Sequence, residues 1–286
     1  RRSFILVLIS LVLVNFPSYE LVDIQIHGTL FRIGVCYLAV SLIYYGLGQK
    51  GQYVTTLLLM SFQVAVLLRG PLLEGLDATF FPGDNPSSSL DSLVFGGLVV
   101  HLGEGGVSQG IVPTVGAVAS TSIGLLAGVY LRTTGRGRVQ IYNIFFAGVL
   151  MVIVGTLLGA WIPISKPVWT PSYVLLMGGL SLLLLSAFYW IGNKWSRGIF
   201  SKILEVAGTN ALIFYVFAQS MQKILMFPRV SSGDGPQSRI PYHVYEKLFA
   251  SWLPGKPGAL LYALCFLMFS YAVVYWLYRR RIFVKL

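Results

Sequence analysis

The chain has 286 residues, 56% of them hydrophobic and only 11% charged, against about a quarter charged in an ordinary soluble domain. So few charges cannot cover a water-facing surface, and a mean hydropathy of +0.74 leaves lipid as the solvent for most of the chain, which excludes a soluble fold. A net charge of +11 and a pI near 9.7 invite a nucleic-acid reading, which the placement of the charges removes.

The first apolar run, roughly 2–16, follows Arg1 and Arg2. It has the basic start and short apolar stretch of a secretion signal, but Asn15-Phe16-Pro17-Ser18 offers no small-x-small cleavage site, so it reads as a membrane helix. Because the chain opens on Arg rather than Met, it is expected to be a fragment whose upstream partner helices are missing. Seven more spans follow at roughly 29–47, 53–69, 110–131, 140–162, 168–191, 200–225 and 257–278. The expected fold is an all-α, polytopic membrane helix bundle of about eight helices, forming a single domain over 1–286. The connectors 70–109 and 226–256 are its long extracytoplasmic loops. Turn formers mark both, as in Gly83-Asp84-Asn85-Pro86 and Ser232-Gly233-Asp234-Gly235-Pro236.

The charges set an orientation. If the first span starts in the cytoplasm, 13 of 21 bases fall on inner connectors, among them Lys50, Arg132, Arg136, Arg138, Lys194, Arg197, Lys202 and Arg279 to Arg281. Nine of the ten acids fall outside, and only Glu205 lies near an inner helix end. Both termini are therefore expected in the cytoplasm, and the +11 is a topology signal rather than a nucleic-acid patch. Small residues recur at every fourth position in Gly116, Ser120, Gly124 and Gly128, and again in Gly155 and Gly159, a spacing that lets helix backbones approach closely in lipid.

Polar groups at membrane depth are the pointers to function. Arg32 lies just inside the outer end of its span, either an interfacial anchor or an anion or substrate contact. Asn210 lies about 12 Å deep at 1.5 Å per residue, where its amide needs a partner. Glu205 is one turn from Lys202 and can pair with it. At the outer end of the sixth span, Lys166, Trp169, Thr170, Ser172 and Tyr173 gather a cation, two aromatics and two hydroxyls. This is either an aromatic belt or a carbohydrate platform, in which an indole face stacks on a sugar. His101, with Glu104 nearby in a Gly-rich loop, is the weak candidate for a general base. No residues have metal-ligand spacing, and no phosphate loop or nucleophile elbow is present. Cys36 and Cys265 read as free buried thiols, although their similar depth does not forbid a bridge.

The run Gly28-Thr29-Leu30-Phe31-Arg32-Ile33-Gly34-Val35-Cys36-Tyr37-Leu38 resembles the Gly-Val-Leu-Gln-Arg-Ile-x-x-Cys-Tyr stretch of the heparan-alpha-glucosaminide N-acetyltransferase family and its bacterial relatives. Pro163-Ile164-Ser165-Lys166 with Trp169 to Leu175, then Gly208-Thr209-Asn210-Ala211-Leu212, and finally Tyr278-Arg279-Arg280-Arg281-Ile282 resemble later signatures of that family in the same order. The chain departs from it where Leu102-Gly103-Glu104-Gly105-Gly106 stands for the family's Asp-Pro-Glu-Gly stretch.

The resemblance implies a multi-pass acyltransferase that passes an acetyl group from cytosolic acetyl-CoA to an amino sugar or glycan on the extracytoplasmic side, and its ending suggests a bacterial inner membrane. The family's catalytic histidine lies upstream of the matched stretch. The full protein is therefore expected to have ten or eleven helices, and this part alone to be inactive. Arg32, Lys166, Trp169 and Tyr173 would then bind the acceptor. Arg132, Arg136, Arg138, Arg197 and Lys202 would hold the phosphates of CoA, with Asn210 along the path of its pantetheine arm. The expected partners are the bilayer and the glycan, with no nucleic acid and no metal; oligomeric state stays open, a homo-oligomer included. The rival reading is a multi-pass transporter or flippase for a sugar-linked or anionic substrate, with Arg32, Asn210 and the outer aromatics lining the path.

Overall fold

The computed structural model describes residues 1–17, 19, 28–73, 110–135, 137–195, 198–227, 229–230 and 238–284. Nine α-helices carry these residues: α1 (Arg2–Asn15), α2 (Thr29–Leu73), α3 (Ile111–Thr134), α4 (Arg138–Leu158), α5 (Pro171–Trp195), α6 (Ile199–Thr209), α7 (Ala211–Met226), α8 (Ile240–Tyr245) and α9 (Lys256–Arg279). A two-residue antiparallel ladder pairs β1 (Arg229–Val230) with β2 (Ser238–Arg239). Five helices are long and apolar enough to cross a membrane, or six when the bent pair α6 and α7 counts as one span. Surface and interior are inverted relative to a soluble protein. Leu57, Phe146 and Met268 are 67%, 64% and 70% exposed, while Gln52, Gln63, Ser122 and Thr170 are completely buried. Polar groups hide from the surroundings and apolar ones face them, as lipid requires. The chain is a helical, multi-pass membrane protein.

Two compact units divide it: Arg1–Ser10 with Gln25–Lys194, and Leu11–Ile24 with Trp195–Leu286. In the first, α2 packs chiefly on α3. Cys36 and Val40 meet Ala117 and Val118, with Leu59 and Trp169 at the edge of this cluster. Leu131, Ile144 and Leu182 join α3, α4 and α5. The α4 and α5 backbones nearly touch: a Cβ added to Gly179 would come within 2.7 Å of Gly148 O, and one added to Gly155 within 2.6 Å of Leu176 N. In the second unit α9 packs on α6 and α7, with Val206 and Val274 fully buried. Lys223 of α7 donates to Leu13 O at 2.8 Å, Val14 O at 2.6 Å and Phe16 O at 3.3 Å. A cation there satisfies the carbonyls that the C-terminus of α1 leaves unpaired and lies at the negative end of its dipole.

Several expected boundaries shift. The spans 29–47 and 53–69 are the two halves of α2, which breaks between them at Gly48 (φ 64°, ψ −168°), where two helices meet, and runs on to Leu73. Glycine reaches that conformation without a Cβ penalty. The span 140–162 stops at Leu158, because Gly159 to Ile162 turn. The span 200–225 is not one straight helix: α6 and α7 meet at 75° around Asn210. The connector 226–256 carries the ladder, α8 and a π-helical turn at Glu246–Ala250. Most of the connector 70–109 lies outside the described residues. Gly124 and Gly128 have nothing within 4 Å of an added Cβ, so the packing expected of them falls instead to Gly116, Gly148, Gly155 and Gly179.

Candidate functional site

Between α4 and α5 the chain makes a tight loop whose own polar groups close it. Thr170 N donates to Ser165 O at 3.2 Å, and Ser165 N donates to Thr170 Oγ1 at 3.1 Å. The hydroxyls of Thr170 and Ser172, both fully buried, lie 2.9 and 3.2 Å from Pro163 O. Pro171 then starts α5 at the one helical position where its missing N–H costs nothing. Trp169, two residues before this start, is left with φ 57°, a left-handed conformation uncommon for a bulky side chain.

Three groups from other helices hold Trp169 there. Gln63 Nε2 donates to Trp169 O at 2.6 Å and lies 3.4 Å from both Val112 O and Val168 O. Gly116 leaves the room this needs: a Cβ on it would lie 2.5 Å from Trp169 O and 2.7 Å from Gln63 Nε2. The indole Nε1 donates to Ser120 Oγ at 3.0 Å, and Ser120 passes a hydrogen bond on to Gly116 O at 3.1 Å. Fixed in this way, the indole carries Arg32 over its ring at 4.9 Å, a cation–π contact, and meets the Tyr173 ring edge-on at 5.4 Å.

Of the four residues assigned to an acceptor, Arg32, Trp169 and Tyr173 come together; Lys166 opens the same turn, accepts from Trp169 N through its carbonyl at 3.2 Å, and is exposed. Of those assigned to CoA, Arg132 ends α3 and Arg138 begins α4 in the first unit. Lys202, in the second unit, lines a cavity of about 600 Å³ with Tyr275, Tyr278, Arg279, Arg281 and Phe283. Asn210 is buried and its amide is fully engaged, Nδ2 donating to Ile282 O at 3.0 Å and Oδ1 accepting from Val284 N at 3.1 Å. Glu205 accepts from the Tyr278 hydroxyl at 3.0 Å. His101, Arg136 and Arg197 lie outside the described residues. Both cysteines are free, Cys36 buried and Cys265 exposed. Among the described residues no three His, Cys, Asp or Glu side chains gather to hold a metal ion.

Sequence reasoning missed Gln63 and the pair Arg279 and Arg281. The signal for Gln63 was available, an amide inside the apolar span 53–69; the two arginines read as topology charges at a helix end. No known protein family matches the chain, and no curated protein matches it.

Proposed function

We propose that the chain is a membrane acyltransferase that passes an acetyl group from acetyl-CoA, offered at the cytosolic face, to an amino sugar or glycan on the other side. The observation that carries this reading is that Arg32, distant in sequence, meets the neighbouring pair Trp169 and Tyr173, the residues that the resemblance assigns to an acceptor. A sugar ring offers C–H faces to an indole and hydroxyls to a guanidinium, and this site pairs the two within 4.9 Å. Transfer needs a base to take a proton from the acceptor amine as its nitrogen attacks the thioester carbonyl and the CoA thiolate leaves.

The donor phosphates are assigned to the inner cations Arg132, Arg136, Arg138, Arg197 and Lys202, and Asn210 contributes through the C-terminal segment that it holds. Both termini are assigned to the cytoplasm on the excess of bases that this orientation puts on the inner connectors, and the setting, a bacterial inner membrane, on the resemblance of the chain's ending.

One observation favours the transporter reading: the 75° break at Asn210, since broken spans line substrate paths in transporters. Sealed vesicles carrying the full-length protein, with labelled acetyl-CoA on the cytosolic side and an amino sugar on the other, separate the two. Acetylated sugar inside, lost in Trp169→Ala while CoA still binds, is the expected result. Movement of unmodified sugar without acetylation would replace this reading by the transporter.

A further inference from the structure

The C-terminus of α9 is built in an unusual way. Arg281 N donates to Tyr278 O at 3.0 Å and Ile282 N to Leu277 O at 3.0 Å, the paired bonds of a Schellman cap. The residue that must turn left-handed in such a cap is usually glycine; here it is Arg281, at φ 56°. A side chain in that conformation costs roughly 1–2 kcal/mol, so the arginine is kept at a position where glycine would serve the backbone better. Strain of this sort collects at ligand sites.

The strained residue lines the 600 Å³ cavity of the second unit together with Lys202 and Arg279. Three cations from two elements thus line one space, with Glu205, held on the Tyr278 hydroxyl, the one acid among the residues named there, and the excess of positive charge favours an anion. Arginine forks match phosphate oxygens two at a time, and Lys202 adds a point charge. The remaining walls are rings. Tyr278 meets Phe283 edge-on at 5.8 Å and anchors its hydroxyl on Glu205 at 3.0 Å, and Tyr275 stacks on Tyr271 at 6.4 Å. The tail that carries Phe283 is pinned from both sides by the buried Asn210 amide. A phosphate alone would fill a small part of this volume, which falls within the range of ligand sites.

We infer that this cavity is a binding site for a phosphate group attached to an apolar or aromatic body, held by Lys202, Arg279 and Arg281. Two sources have that chemistry, an anionic phospholipid headgroup and a soluble phosphorylated cofactor of the CoA type. The site itself stands without the acyl-transfer reading; its soluble arm alone rests on it.

The test uses the full protein in phosphatidylcholine nanodiscs, titrated with short-chain phosphatidylglycerol in one arm and with CoA in the other. Arg281→Gly removes the charge while relaxing the backbone, so its unfolding temperature should equal or exceed that of the parent. Its affinity for the phosphate ligand should fall at least tenfold, with Arg279→Gln falling similarly and Lys256→Gln, at the opposite end of α9, unchanged. Phosphatidylglycerol binding alone makes this a lipid site and moves the donor elsewhere; CoA binding alone makes it the donor site. Binding of neither ligand, or equal binding by the parent and Arg281→Gly, overturns the inference.

Discussion

Gln63 illustrates how one side chain can define a site without touching what the site binds. Its amide serves the carbonyls of Val112, Val168 and Trp169 from a fully buried position, and so fixes the left-handed turn that presents the indole to Arg32. Gln63→Leu keeps the volume and removes the donor of Trp169 O, leaving that carbonyl unsatisfied, but it also removes Gln63 Oε1, which is buried without a partner. A buried unpaired group costs about 1–3 kcal/mol, and a net loss at the lower end of that range is expected in denaturant unfolding in detergent. Under the acyl-transfer reading the same variant raises the KM for acceptor severalfold and leaves the KM for CoA unchanged; equal changes in both would count against a positioning role. Arg32 stands out in the sequence because lipid penalises a charge inside a span, and Trp169 and Tyr173 because they cluster with Lys166 at a span's end, where aromatics gather. The support from Gln63 is not legible there, since nothing in a linear sequence says which carbonyls a distant loop leaves unpaired.

At the scale of elements, hydrophobic runs located the helices and misjudged how they join. Hydropathy fades at Gly48 to Gln52, which reads as a connector; α2 does break there, at Gly48, but helix resumes at once, and Gln52 finds Ser122 Oγ at 2.6 Å. The span around Asn210 looks uniform and bends, because Asn210 gives its side chain to the tail where two helices meet. The four-residue spacing of small residues marked α3 correctly at Gly116 and wrongly at Gly124 and Gly128. Spacing identifies a face that could be approached; only the partner decides where it is. The contrast can be measured. Gly179→Ala drives a methyl against Gly148 O and Val152 N, at 2.7 and 2.8 Å, and should cost about 1–3 kcal/mol as overpacking does. Gly128→Ala meets nothing within 4 Å and should stabilise α3 by up to about 1 kcal/mol through helix propensity. Unfolding of both variants in detergent gives the comparison; equal effects would mean that α4 and α5 do not cross in backbone contact.

For the whole molecule, the proposed orientation makes a prediction about access. In a background with both native cysteines replaced by serine, Lys166→Cys should react with an impermeant maleimide applied to intact cells, and Lys50→Cys only after the membrane is opened. The opposite pattern would invert the proposed topology. Sequence alone places this chain in lipid, makes it helical and puts its helices roughly where they lie. Those conclusions follow from a penalty charged residue by residue: each unpaired polar group in hydrocarbon is costly wherever the chain later goes. Folding is what brings Arg32 to Trp169, holds that loop on Gln63 and Gly116, breaks α6 from α7 at Asn210, and lines one cavity with Lys202, Arg279 and Arg281. Each of these depends on pairing between residues distant in the chain, and pairing is set by backbone approach and leftover hydrogen-bonding capacity, which composition and periodicity do not encode.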